Sequence, residues 1–158
     1  MTSLRARFSY PIISVGLTLL FAMTHALADC PAGQKTVFYC DTVNDKVIQL
    51  CDAGATIDYT FGGVGRLPEL ALRIPREQAT TWQWPGIGRW ITYAVDVPNG
   101  DTRYSVFWGV DRLDEAHPVA AGVDVEIRNE HVATVRCRDD AALIQQMEGI
   151  DLRPREPR

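Results

Sequence analysis

From residue 34 onward the chain repeats one device: a short run in which apolar and polar side chains alternate, followed by a cluster of Gly, Pro, Asn or Asp. Alternation with a period of two puts one face of an extended strand in a core and the other in water, a pattern that does not fit a helix. Gln34 to Asp41 and Lys46 to Cys51 are such runs, joined at Asn44-Asp45 by what reads as a tight hairpin turn. Ile57, Tyr59 and Phe61 alternate with Thr56, Asp58 and Thr60, and Leu70, Leu72 and Ile74 alternate with Glu69, Ala71 and Arg73. Gly62-Gly63-Val64-Gly65-Arg66 lies between those two runs. A phosphate-cradling loop needs a helix after it, and Pro68 with a strand pattern follows instead, so the glycines read as a flexible hairpin connection.

Two longer strands follow, Arg89 to Val97 and Thr102 to Asp111, divided by the turn signal Pro98-Asn99-Gly100-Asp101. A last pair, Val123 to Arg128 and Val132 to Cys137, with a three-residue connection at Asn129-Glu130-His131, puts Val123, Val125 and Ile127 on one face with Ala133, Val135 and Cys137. Only Asp139 to Gly149 reads as helical, with aspartates first, Leu143, Ile144 and Met147 on one side, and a glycine stop. These signals predict an all-β fold, a small antiparallel eight-stranded meander barrel with a short C-terminal helix. The domain is expected over residues 29–150, with a disordered charged tail over 151–158.

The first 28 residues read differently. Arg5 and Arg7 precede an apolar run from Ile12 to Met23, and Ala26-Leu27-Ala28 has the small-x-small form that signal peptidase accepts. Residues 1–28 are therefore expected to be a signal peptide, the mature chain to start at Asp29, and the protein to work in the periplasm or outside the cell. The apolar run is short for a membrane span, and no later stretch reaches that length. Cys30 stands where a lipoprotein cysteine would stand, but Asp29 replaces the small residue that lipid attachment wants.

Removing the leader takes away two arginines and no acid, so the formal charge falls from −4 to −6. That balance disfavours nucleic acid and anionic membrane surfaces and favours a basic partner. All four cysteines, Cys30, Cys40, Cys51 and Cys137, follow the leader, an even number in a chain bound for an oxidising compartment. Two disulfides are expected and no metal site, since zinc usually takes cysteines in close pairs and no C-x-x-C occurs. Nothing points to a cofactor.

Catalytic signals are sparse. The mature chain has one serine, Ser105, inside a strand pattern without a G-x-S-x-G context, and two histidines, His117 and His131, in expected loops. Asp111, Asp114 and Glu115 form a carboxylate cluster of the kind an acidic surface supplies without function, and a non-enzymatic role is expected. The tryptophans are more specific. Trp82, Trp84 and Trp90 flank Pro85-Gly86-Ile87-Gly88, and Trp108 follows Phe107. Indoles in a loop can stack on sugar rings, and large aromatics also fill barrel ends, so a glycan or cell-envelope binding module stands as one reading.

Tyr39-Cys40 in a first strand, Arg103-Tyr104-Ser105-Val106-Phe107-Trp108-Gly109 in a later one and a terminal hairpin ending at Cys137 resemble the membrane-bound and periplasmic inhibitors of C-type lysozyme. The resemblance spans roughly residues 37–137 at the level of element order. It implies an eight-stranded barrel, a disulfide from first to last strand, and an exposed loop that plugs the lysozyme cleft. The residues it points to are Asn99, Arg103, Tyr104 and Arg112, with a basic protein such as a lysozyme as partner. Asn99 stands where the family has serine, and Arg112 is the nearest basic residue after Trp108. A cation offered to the two carboxyl groups of such an enzyme would occupy its site without being a substrate. With a two-residue turn at Asn44-Asp45, Cys40 faces Gln49 and lies diagonally from Cys51, about 7–8 Å away and long for a bridge. The expected pairs are Cys40 with Cys137, as the resemblance implies, and Cys30 with Cys51.

Overall fold

The computed structural model describes residues 30–156. The expected leader and the mature start at Asp29 lie outside the described residues. Among the described residues eleven strands run in chain order: β1 (Lys35–Asp41), β2 (Lys46–Asp52), β3 (Thr56–Gly63), β4 (Leu70–Pro75), β5 (Thr80–Trp82), β6 (Trp90–Asn99), β7 (Thr102–Asp111), β8 (Val119–Ile127), β9 (Glu130–Arg136), β10 (Leu143–Gln145) and β11 (Arg153–Pro154). Those numbered 1–4 and 6–9 are the eight strands that alternation predicted. They do not close into a barrel. One sheet has the order β10-β1-β2-β3-β4 and the other β11-β5-β6-β7-β8-β9, all neighbours antiparallel except β11 with β5. The meander divides where Pro75 ends β4 and a single 3-10 turn, Arg76–Gln78, carries the chain to β5. Pro75 is the last ladder residue, paired with Thr56, and after Arg76 N–H donates to the Ala55 carbonyl at 3.0 Å the 3-10 turn takes the chain off the sheet.

The inner faces of the two sheets share one core. Phe38, Ile48, Leu50, Ile57 and Tyr59 come from one sheet and Val95, Val97, Val106 and Val123 from the other. A bulge in β1 at Thr36/Phe38 makes Val37 the extra residue and lets both Val37 and Phe38 be buried.

The expected helix over 139–149 is absent. Leu143–Gln145 instead extends the first sheet, pairing Phe38 with Gln145 and Cys40 with Leu143, and Gln146 N–H donates to the Val37 carbonyl at 2.8 Å. The open edge of β1 offered hydrogen bonds to a segment whose apolar residues suit either period, and Met147 is still fully buried. The tail expected to lack structure likewise holds a strand: Arg153 pairs with Thr80 and Pro154 with Thr81. No helix among the described residues is long and apolar enough to cross a membrane.

The disulfides join Cys30 to Cys51 and Cys40 to Cys137, as expected, although the register behind the expectation is off by one. Asp41 pairs with Val47 and Thr42 N–H donates to the Lys46 carbonyl at 2.7 Å, so the turn holds three residues, with Asp45 left-handed at φ 55°. Cys40 therefore faces Ile48 on the inner side, while Cys51 points outward to Cys30. Opposite faces, not diagonal distance, separate Cys40 from Cys51. The β8–β9 connection is shorter than expected: Arg128 and Asn129, both left-handed at φ 52° and 67°, make a two-residue turn.

Candidate functional site

The tryptophans sit at one end of the six-stranded sheet. Trp82 ends β5 opposite Ala94, so its side chain shares the outer face of the sheet with Trp90, Thr92 and Ala94 of β6. Its indole Nε1–H donates to Thr92 Oγ1 at 3.0 Å. Trp90 opens β6 opposite Asp111, and its ring lies against Gly109 of β7, where a Cβ would come within 3.6 Å of it. Gly109 thus leaves room for the Trp90 indole to lie along the sheet. Trp82 is 42% exposed and Trp90 39%, among the largest apolar groups the molecule shows to solvent. The period-2 geometry of the sheet produces this shelf: alternate residues of two adjacent strands face the same way, and both tryptophans fall on the outer phase.

Trp84 leaves this shelf. The chain turns after Trp82, and Trp84 packs half-buried against the core, its Nε1–H donating to the Ile87 carbonyl at 2.8 Å. Arg112, just past β7, places its guanidinium 5.4 Å above the Trp84 ring and donates from Nε to the Gly88 carbonyl at 2.9 Å. Arg89 donates from Nε to Asp111 at 2.6 Å. Burial pulls the Asp111 carboxyl upward, but the bond from Arg89 and the Leu113 N–H outweigh it and hold the group below the usual carboxylate range. These contacts lace the 83–90 loop to the 111–113 corner. Trp108, on the inner face, stacks on Tyr93 at 6.1 Å. Burial, then the hydrogen bond with Glu148, pushes the Tyr93 phenol up.

The residues expected to plug an enzyme cleft are not one site. Asn99 is exposed beside the tight turn Gly100-Asp101, at the far end of β6 from Trp90. Ten-residue strands put those two ends about 30 Å apart. Arg112 lies at the tryptophan end, away from Asn99. Arg103 is bound to the buried Glu126 of β8. Tyr104 faces inward and stacks on Tyr59 at 5.4 Å. The 98–103 segment is a hairpin of paired residues and not a protruding loop.

Sequence reading missed a row across the outer face of the same sheet. Thr80, Asp96, Ser105 and Asp124 are successive partners on β5, β6, β7 and β8. Asp96 and Ser105 are buried although they face outward, because Arg155 lies over them. Asp124 accepts from Thr134 Oγ1 at 2.5 Å, and His131 Nε2 lies 2.9 Å from that hydroxyl. His117 rests its Nδ1 3.1 Å from the Asp111 carbonyl. Ser105 therefore has Arg155, and neither histidine, as its hydrogen-bond partner among the described residues. The one available signal was parity: Asp96, Ser105 and Asp124 sit at outward positions of strands that alternation had already located.

No protein-family model, no curated protein and no solved structure matches this chain.

Proposed function

We propose that this protein is an exported, disulfide-bonded binding module that takes a glycan of the cell envelope on the Trp82–Trp90 shelf. The observation that carries the reading is the pair of exposed indoles on one sheet face. An exposed indole in a folded domain is a preformed apolar surface with few rotamers to lose, and the faces of pyranose rings are apolar enough to stack on it. Two disulfides in the described residues are compatible with an oxidising compartment. The fixed loop behind the shelf, held by Arg112 on Trp84 and Arg89 on Asp111, lowers the cost of ordering on binding.

The lysozyme-inhibitor reading ranks second. Of its residues, Asn99 is the one both exposed and at a hairpin tip, while Arg103 is tied to Glu126 on the outer face of the sheet and Tyr104 is stacked on Tyr59 between the sheets.

Co-sedimentation of the mature protein with insoluble peptidoglycan tests the reading, together with titration by chito-oligosaccharide. Retention is expected, with Trp82→Ala and Trp90→Ala each weakening it by about tenfold, on the order of 1.4 kcal/mol, at unchanged melting temperature. Absence of retention on either probe overturns the glycan reading. Lysozyme inhibition that survives both tryptophan substitutions would favour the second reading instead.

A further inference from the structure

The row Thr80–Asp96–Ser105 is a finished guanidinium socket, and the chain's own tail fills it. Arg155 donates from Nε to Asp96 Oδ2 at 2.7 Å and from Nη2 to Asp96 Oδ1 at 2.6 Å, a two-pronged pairing, and Nη2 also reaches Ser105 Oγ at 2.8 Å. Thr80 Oγ1 donates to Asp96 Oδ2 at 3.1 Å and fixes the carboxylate from the other side. The Asp96 side chain is 3% exposed. The socket's acceptors, Asp96 of β6 and Ser105 of β7, lie on adjacent strands in register, and a planar fork fits them where an ammonium would make a single contact.

The occupant's main-chain pairing, by contrast, is short. β11 has two residues, one of them proline, and pairs in parallel with the edge strand β5; Arg155 N–H adds one bond to the Thr81 carbonyl at 2.8 Å. Arg153 and Pro154 are exposed, and Arg153 makes no ion pair among the described residues. Main-chain pairing along a sheet edge plus one side-chain pocket is the geometry by which domains bind extended peptides. The charge of −6 expected for the mature chain favours a cationic segment.

We infer that the β5 edge with its Thr80–Asp96–Ser105 socket is a recognition site for an extended, arginine-bearing segment of a partner protein, which enters by displacing the protein's own Arg153–Arg155. The socket adjoins the tryptophan shelf, since Thr80 and Trp82 are two residues apart on the outer face of β5, but it uses different side chains, so either assignment can fail alone. The tail acts as a tethered competitor: it is present at a high effective concentration and makes binding depend on an incoming segment that pairs better along β5 than Arg153-Pro154 does.

The test uses the full mature chain and a labelled peptide of residues 151–156. Arg155→Ala empties the socket, and this chain is expected to bind the peptide at least tenfold more tightly than the wild-type chain does. Replacing the peptide's Arg155 by Lys should cost tenfold or more. Equal binding to the two chains, or equal binding of the Lys peptide, overturns the inference, as does no binding to a folded Arg155→Ala chain. If that variant does not fold, the wild-type chain serves. Millimolar unlabelled peptide should move the Arg155 amide resonance of the isotopically labelled protein from its paired to its released position, and an unmoved resonance overturns the inference. Concentration-dependent dimerisation of the wild-type chain with loss of the tail's own pairing would make a second copy the occupant and would also overturn it.

Discussion

Tyr59 of β3 and Tyr104 of β7 stack across the space between the two sheets, their ring centroids 5.4 Å apart and their planes within 23°. Tyr59 is fully buried, and burial, then the nearby Tyr104, pushes its phenol far above the usual range. A residue that the family resemblance points to as a partner contact thus packs, partly buried, against the core. Tyr104→Ala should lower stability by about 2–4 kcal/mol through the lost aromatic contact and the cavity left behind. Urea unfolding measures it; an unchanged midpoint would mean that the stack contributes nothing.

Gly122 of β8 lies against the β9 backbone, opposite Arg136. A Cβ there would lie 2.2 Å from the Val135 carbonyl oxygen, a backbone atom that cannot move without breaking the β8–β9 ladder. Gly122→Ala should destabilise the protein by about 2–4 kcal/mol, far more than a usual surface substitution. Thermal unfolding of the variant checks this, and a shift no larger than that of a usual surface substitution, about 0.5 kcal/mol, would contradict it.

The two disulfides close loops of very different size, with sequence separations of 21 and 97. In the chain-entropy account the shorter contributes about 3 kcal/mol and the longer about 4–5 kcal/mol. The double substitution Cys40→Ser/Cys137→Ser should therefore lower the melting temperature more than Cys30→Ser/Cys51→Ser, especially since Cys40 and Cys137 are buried while Cys30 is half-exposed. Differential scanning calorimetry of both variants under non-reducing conditions decides the order.

Acid should weaken the fold through three paired carboxylates. The bond from Arg73 holds Asp58 below the usual range; burial opposes the same effect at Asp52 and Asp111, where Arg76 and Arg89 nevertheless prevail. Their folded-state pKa values lie below the unfolded ones, so their contribution is fully present above the ordinary carboxylate range of about 4 and fades as pH falls through the depressed values. Unfolding free energy measured from pH 6 downward should decline below about pH 4, with a shallower decline in Asp58→Asn/Arg73→Gln. A profile identical in that double variant would show that the Arg73 pair carries none of the dependence.

The period-2 alternation determined much of this protein before any fold was known. Ile57, Tyr59 and Phe61, or Leu70, Leu72 and Ile74, announce their strands because a strand's faces are set by adjacent residues. That the four cysteines form two disulfides and that a turn falls at Gly100 was equally legible; which cysteine meets which was not a local signal, since Cys40 and Cys137 stand 97 residues apart. What lay beyond the sequence was decided by partners far along the chain. Leu143–Gln145 suits a helix as well as a strand, and the open edge of β1 selected the strand. Arg103 reads as a free cation until Glu126 of the neighbouring strand takes it up, and Arg112 joins the tryptophan corner and not the Asn99 turn because a strand's length separates them. Arg155 reads as tail until it meets an aspartate 59 residues away. Alternation says that a side chain faces outward; only the packed sheets determine what it meets there, because cross-strand register joins residues with no relation in sequence.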